Sequence, residues 1–191
     1  MAGSARYTAL LDANTLYPAP LRDLLLSLAI AGLYHARWTH RIHDEWTRSL
    51  AQNRPEIADR LPQLVELMNR SVPDSIVENY EALAESLVLP DADDRHVLVA
   101  AIVGHADAIV TFNLKDFPLS VLARHGIEAL HPDDFVLNQL ELRELDALGA
   151  IKTMRGRLRR PTLSAAELIA TFERAGLLAT AAHLRRAQGL I

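Results

Sequence analysis

Tyr7-Thr8-Ala9-Leu10-Leu11-Asp12-Ala13-Asn14 is the stretch on which the fold turns. Its first five residues are apolar or β-favouring, and the run stops at an acid and an amide. That is the pattern of a buried strand delivering polar side chains at its C-terminal end. Working outward, Pro18 and Pro20 open a helix over Leu21–Ala31, with Arg22 and Asp23 in its first turn, and Gly32 suits the position just past its end. Leu33–Trp38 fits a second strand. Thr39 can cap a helix over residues 40–52, in which Ile42, Trp46, Ser49 and Leu50 fall at helical spacing.

Further along, Asn53-Arg54-Pro55-Glu56 has a capping-box pattern and starts a helix toward Met68, which Pro62 should kink or break. Ile76, Val77, Tyr80, Leu83, Ala84 and Leu87 continue helical periodicity, and Leu89-Pro90-Asp91-Ala92-Asp93-Asp94 reads as a loop with a cap at its end. His96–His105 is nearly all apolar and reads as a buried helix. Ala108–Phe112 is a β-rich run ending at the polar Asn113. Ile127–Leu130 suggests a further strand and Pro132–Leu148 a further helix. This alternation predicts an α/β fold with a mainly parallel sheet.

After Gly149 the chain changes character. Lys152, Arg155, Arg157, Arg159 and Arg160 cluster before Pro161, Ser164-Ala165-Ala166-Glu167 opens a helix by capping-box logic, and Gly176 separates Leu168–Ala175 from Leu177–Arg186. We therefore expect two regions: residues 1–140 as the α/β domain and residues 141–191 as a basic helical extension. Charge divides in the same sense. Residues 1–149 carry 12 Lys and Arg against 22 Asp and Glu, a net −10, whereas residues 150–191 carry 8 against 2, a net +6. An acidic body repels nucleic acid unless cations intervene, so this distribution permits a phosphate substrate without requiring one. Arg155, Arg157, Arg159 and Arg160 are candidate contacts for RNA or a partner, or else a solvated or intramolecular cluster.

The chain has 191 residues, half of them hydrophobic, enough to bury a full core. No cysteine is present, which excludes disulfides, thiol catalysis and thiolate zinc sites together. The longest apolar runs, Leu24–Ala31 and Val97–Val103, fall far short of a bilayer span, and no N-terminal stretch has signal-peptide order, so a cytoplasmic protein without membrane attachment is expected.

Four carboxylates stand out by position. Asp12 lies at a strand end beside Asn14, and Asp116 follows the Ala108–Phe112 strand after Thr111 and Asn113. Asp94 begins the buried helix. Glu45 sits between Ile42 and Ser49, at the edge of an inward helix face. Carboxylates gathered in one cleft need a partner, and hard oxygen ligands suit Mg²⁺ or Mn²⁺. Each also has a structural reading: Glu45 paired with Arg41, Asp94 as an N-cap, Asp116 capping the turn before Phe117-Pro118, Asp12 with Asn14 in an Asx turn. His40 and His43 are assigned to surface or packing, and Trp38, Trp46 and Tyr80 to the core.

Taken together, these segments resemble the PIN-domain family, in particular the bacterial, VapC-like branch of toxin–antitoxin ribonucleases. The resemblance covers about residues 7–140. It rests on Leu10-Leu11-Asp12-Ala13-Asn14, on Trp38-Thr39-His40-Arg41-Ile42-His43-Asp44-Glu45-Trp46, on Leu89 to Leu98 around Asp94, and on Ile109-Val110-Thr111-Phe112-Asn113-Leu114-Lys115-Asp116-Phe117-Pro118. It implies a three-layer α/β/α sandwich around a central, mainly parallel sheet, and Mg²⁺- or Mn²⁺-dependent hydrolysis of single-stranded RNA. A homodimer and an inhibiting antitoxin protein are also implied. Asp12, Glu45, Asp94 and Asp116 would then be catalytic metal ligands, supported by Asn14, Thr111 and Asn113. Asn113 stands where many members carry an acid, so the role of Asp116 is conditional on it.

Two other readings are open. Asp12-Ala13-Asn14-Thr15 also resembles the nucleophile motif of haloacid-dehalogenase-like phosphatases, with Lys115 and Asp133-Asp134 as downstream partners, although that motif wants an acid at Asn14. The other is a non-catalytic PIN-like module that binds a partner through its basic tail.

Overall fold

In the computed structural model, which describes residues 7–81, 89, 91, 93–159 and 161–191, β1 (Thr8–Leu11) occupies an inner position of a four-stranded sheet. β2 (His35–Arg37) pairs on one side of it and β3 (Ala108–Val110) on the other, with β4 (Glu128–Leu130) beyond β3, and every pairing is parallel. The central β1 and β3 are apolar and buried, as strands covered on both faces must be. The order β2-β1-β3-β4 sends the chain outward in opposite directions from β1 and β3. The switch point therefore lies at their adjoining carboxyl ends, where open α/β sheets bind ligands. The α/β class with a central parallel sheet and helices at the C-terminal end is as the sequence led us to expect.

The chain separates into two compact units. The first comprises residues 1–17 and 34–131, so it holds the whole sheet. In it, the short α1 (Ala13–Leu16) follows β1, and α3 (His40–Asn53) follows β2, capped by Thr39 Oγ1, which accepts from the Ile42 amide at 3.0 Å. α3 packs on α1 and on α4 (Leu61–Ser71), while α5 (Arg95–Val103) packs on β1 and β3. A short α6 (Leu119–Leu122) lies against β4. His43 is core: 2% exposed, it meets Asn69 Oδ1 through Nε2 and accepts from Trp46 Nε1 through Nδ1, both at 3.0 Å. Trp38 Nε1 donates to the same Asn69 oxygen at 2.8 Å, which closes a buried polar knot between two tryptophans.

Three local expectations are corrected. Asn53 does not cap a helix; α3 runs through it, its amide donates to the Tyr17 hydroxyl, and Glu56 pairs with Arg54 instead. Residues 55–60 form a 3₁₀ helix, and Pro62 falls in the first turn of α4, where its missing N–H costs nothing, so the expected break is a helix start. Ile76 and Val77 are not helical: Ile76 bridges Trp38 in parallel, and the Val77 amide donates to the Trp38 carbonyl. Tertiary pairing overrode an apolar periodicity there. Leu83, Ala84, Leu87, Pro90, Ala92 and Arg160 lie outside the described residues.

The second unit comprises residues 18–33 and 132–191 and is helical. α2 (Ala19–Ile30) packs on α8 (Glu144–Arg157) and α9 (Ala165–Arg174), and α7 (Pro132–Leu142) packs on α8 and α10 (Leu178–Arg186). The helix expected over Pro132–Leu148 is thus two helices, parted at Arg143, whose backbone leaves the helical region. The residue 140/141 division falls inside α7, while the compact units part at 131/132, because α7 is tied into the helical unit. The ties are specific. Asp133, 8% exposed, accepts from both the Ala179 and Thr180 amides at 2.8 Å, capping the start of α10. Gly32 and Gly176, at φ 75° and 88°, end α2 and α9 in paired reverse bonds, Leu33 N–H to Leu28 carbonyl and Leu177 N–H to Phe172 carbonyl. Ser164 and Glu167 form the anticipated capping box. No helix among the described residues is long and apolar enough to cross a membrane.

Asp133→Ala strands two amides at a helix start, so it should lower unfolding free energy by about 1–3 kcal/mol, read as a reduced urea midpoint of the full chain. Asp133→Asn should recover part of this through its remaining carbonyl. A wild-type midpoint for the alanine variant would show that the cap contributes nothing.

Candidate metal-binding active site

β1 ends at Leu11, and the next residue, Asp12, is turned inward at the sheet edge, 6% exposed. Its Oδ1 accepts from the Ala13 amide at 2.6 Å, and its Oδ2 accepts from Asn14 Nδ2 at 2.6 Å and Thr111 Oγ1 at 2.7 Å. Thr111 is the first residue past β3, so this last bond crosses between the two switch-point strands. The Thr111 hydroxyl in turn accepts from Asn14 Nδ2 and the Asn113 amide, each at 3.0 Å, while Asn14 Oδ1 accepts from the Phe112 amide at 3.1 Å. Asn14 and Thr111 therefore hold Asp12 in one orientation. Burial pushes the Asp12 carboxyl up from its ordinary range, the Thr111 and Ala13 bonds act against this, and Glu45 adds a further push upward.

Asp12, Glu45, Asp94 and Asn113 line one cavity of about 370 Å³, together with Ala13, Asn14, Tyr17, Trp46 and Ser49. Three of the four expected carboxylates thus reach a common space from β1, α3 and the start of α5. Asp116 is not among the lining residues. It is half-buried, its amide donates to the Asn113 carbonyl, and its charge is felt at Asp94. Asn113 is exposed at the rim. Asp94 takes the N-cap position of α5 yet makes no side-chain cap bond, so its carboxylate is not consumed by the helix. Burial, followed by the charges of Asp12, Asp91 and Asp116, pushes its pKa up to about 6.

Glu45 is compensated differently. Burial raises its pKa, but hydrogen bonds and charge from His96 and then Arg41 outweigh this and hold it below the ordinary range. Its Oε1 lies 3.0 Å from His96 Nε2 and 3.1 Å from Arg41 Nε. The Arg41 pairing is the one helical spacing suggested. His96 was missed as a site residue, since it heads an apolar run and read as core; an imidazole two positions after Asp94 was the available signal. His40 is exposed and, like His43, is not on this cavity.

Elsewhere, Arg155 Nη1 donates to the Leu163 carbonyl at 3.0 Å and Arg157 Nη2 to Ser27 Oγ at 2.7 Å, both inside the helical unit, while Arg159 is exposed. Asp133, one of the downstream partners offered for the phosphatase reading, is engaged as the cap of α10.

Comparison with known proteins accords with this geometry. The family model for the PIN domain matches residues 8–115. The chain belongs to the PIN-domain family. A second model, described as the VapC50 C-terminal domain, matches residues 132–186, which fall in the helical unit of this PIN-domain chain. Among curated proteins, "Putative ribonuclease VapC50" of Mycobacterium tuberculosis (strain ATCC 25618 / H37Rv) is 59% identical over 51 residues, 27% of this chain and 30% of that relative. The match therefore spans under a third of the relative's length. No solved structure matches.

As for a divalent cation, the donor set fits. Three carboxylates border one cavity, two have raised pKa values from burial and mutual repulsion, and no described residue donates to Glu45 Oε2. Among the described residues, no three His, Asp or Glu side chains already stand close enough to hold an ion. Binding would have to draw these carboxylates inward.

The Asp94 shift carries a sign. With its folded-state pKa raised from 3.8 to about 6, the folded chain takes up a proton more readily than the unfolded chain, so stability falls as pH rises through that interval. Relative to Asp94→Asn, the metal-free wild type should lose stability between pH 4 and 7, seen as a growing difference in urea midpoints. A pH-independent difference would contradict this placement of Asp94.

Proposed function

We propose that this PIN-domain chain is a Mg²⁺- or Mn²⁺-dependent endoribonuclease hydrolysing phosphodiester bonds of single-stranded RNA. The observation that carries the reading is the convergence of Asp12, Glu45 and Asp94 on one cavity at the sheet's switch point. Asp12, Glu45 and Asp94 would hold the cation, with Asp116 a further ligand, direct or through water. When bound, such a cation neutralises charge on the phosphodiester and makes an attacking water more acidic.

The chain's own residues prepare the site. Asn14 and Thr111 keep both Asp12 oxygens oriented, which spares reorganisation when substrate arrives. Asn113, at the rim, offers a neutral amide where an acid would repel the RNA backbone. Asp94, poised near neutrality, is the group at which proton and cation binding compete.

On this reading the nuclease domain is the stretch to about residue 140, and the protein acts in the cytoplasm as the toxin of a type II toxin–antitoxin pair, as a homodimer restrained by an antitoxin protein. The likeness to a relative named as a ribonuclease supports the activity. The extension beyond residue 141 would contact RNA or the partner through Arg159 and its neighbours Arg155, Arg157 and Arg160. A non-catalytic binding module is the second reading, favoured by Asn113 and by the Arg41 ion pair and His96 contact that already occupy Glu45.

The purified chain should cleave unstructured RNA with Mg²⁺ or Mn²⁺ and stop on chelation. Asp12→Asn and Asp94→Ala should each lower kcat/KM by at least about a hundredfold, and Asp116→Asn by less. Cleavage that survives chelation and both substitutions would sink the mechanism, and a folded wild type that binds no divalent ion would favour the binding module.

A further inference from the structure

Glu45 differs from the other cavity carboxylates in being gripped from two sides on a single oxygen. Arg41 Nε and His96 Nε2 both meet Oε1, at 3.1 and 3.0 Å, and no described residue donates to Oε2. The two donors are not equivalent. Arg41 lies one turn before Glu45 on α3, half of its side chain is in solvent, and it shares its guanidinium with the Asp93 carbonyl at 3.5 Å. Such an exposed pair is screened and mobile. His96 is 5% exposed and comes from α5, in the turn that starts with Asp94. It therefore ties Glu45 on one element to the segment that carries Asp94 on another.

The ring is costly to bury. His96 Nδ1 is shielded from solvent and has no hydrogen-bond partner among the described residues, which leaves Glu45 as the ring's one polar contact among them. A histidine so placed packs no better than an aliphatic residue would, and its unpaired nitrogen opposes burial. Stability alone does not account for it; locating Glu45 does. Because the acceptor is a carboxylate oxygen, Nε2 supplies the hydrogen.

We infer that His96 is a positioning residue: it holds Glu45 by Oε1 and so presents Oε2 to a divalent cation in the cavity shared with Asp12 and Asp94. This rests on the metal-dependent reading above. His96 acts through Glu45 and touches neither cation nor substrate, as outer groups behind metal-binding carboxylates do.

The test is calorimetric titration of Mn²⁺ into the full chain at fixed pH, alongside urea unfolding without metal. His96→Leu should weaken Mn²⁺ binding about 10- to 100-fold with an unfolding midpoint no lower than wild type. His96→Gln, whose amide can donate from near the Nε2 position, should restore most of the affinity. In a Glu45→Gln background, His96→Leu should add less than about threefold, because the contact is already gone. Should the leucine variant not fold, His96→Asn replaces it, its shorter amide stopping short of Glu45. Unchanged affinity in the leucine variant, no rescue by glutamine, or an undiminished loss in the Glu45→Gln background would overturn the inference. A folded wild type that binds no Mn²⁺ would instead overturn the metal site itself, and this inference with it.

Discussion

Repulsion between carboxylates is the constraint on which the sheet edge is built. A parallel sheet whose strand order reverses between β1 and β3 brings two carboxyl ends side by side, and Asp12, Glu45 and Asp94 reach the crevice that results. They are compensated unequally. Asp12 is fixed by three donors, two of them side chains whose own hydrogen bonds are satisfied, so its charge is dispersed into a rigid dipolar cage. Glu45 takes a guanidinium and an imidazole on one oxygen. Asp94 has no such partner among the described residues, and burial, followed by the charges of Asp12, Asp91 and Asp116, pushes its pKa up to about 6. On the proposed reading the three would respond differently to a cation: one is preset, one would be shared with existing partners, and one would bind in competition with a proton.

These devices depend on the surrounding packing. Thr111 reaches Asp12 only because β1 and β3 pair in a register that sets Leu11 opposite Val110, with the Asp12 amide continuing the ladder to the Val110 carbonyl. A one-residue slip would turn Asp12 to the other face and break the cage. On α3, the knot of His43, Asn69, Trp38 and Trp46 locks the helix that presents Glu45. The helical unit is secured by other means. There, caps do the specifying: Asp133 on α10, the Ser164–Glu167 box on α9, and two glycines with positive φ. Its basic residues are partly spent internally, which leaves a less concentrated positive surface than the linear cluster from Lys152 to Arg160 suggests.

Much of this was legible in local pattern. Apolar runs ending in polar residues marked β1 and β3, Thr39 and Ser164 marked helix starts, and Gly32 and Gly176 marked helix ends, because each depends on the chemistry of a few adjacent residues. The Asn53 box and the helix through Ile76 and Val77 failed for the converse reason. A cap competes with continuation of the preceding helix, and an apolar period of a few residues serves a bridge to Trp38 as well as it serves a helix. Neither competition can be decided within the segment.

The same division runs through the site. The sequence by itself determined which carboxylates, amides and hydroxyls are available, that hard-metal chemistry is open and thiol chemistry closed, and at which strand and helix ends the acids fall, since these follow from residue type and periodicity. Only the tertiary structure decided that Asp12, Glu45 and Asp94 border one cavity while Asp116 stands outside its lining, that α2 groups with the C-terminal helices, and that a buried His96 holds Glu45. Each of these pairs residues far apart in the chain, and distance in space between such residues is set by strand register and helix packing, which no local spacing encodes.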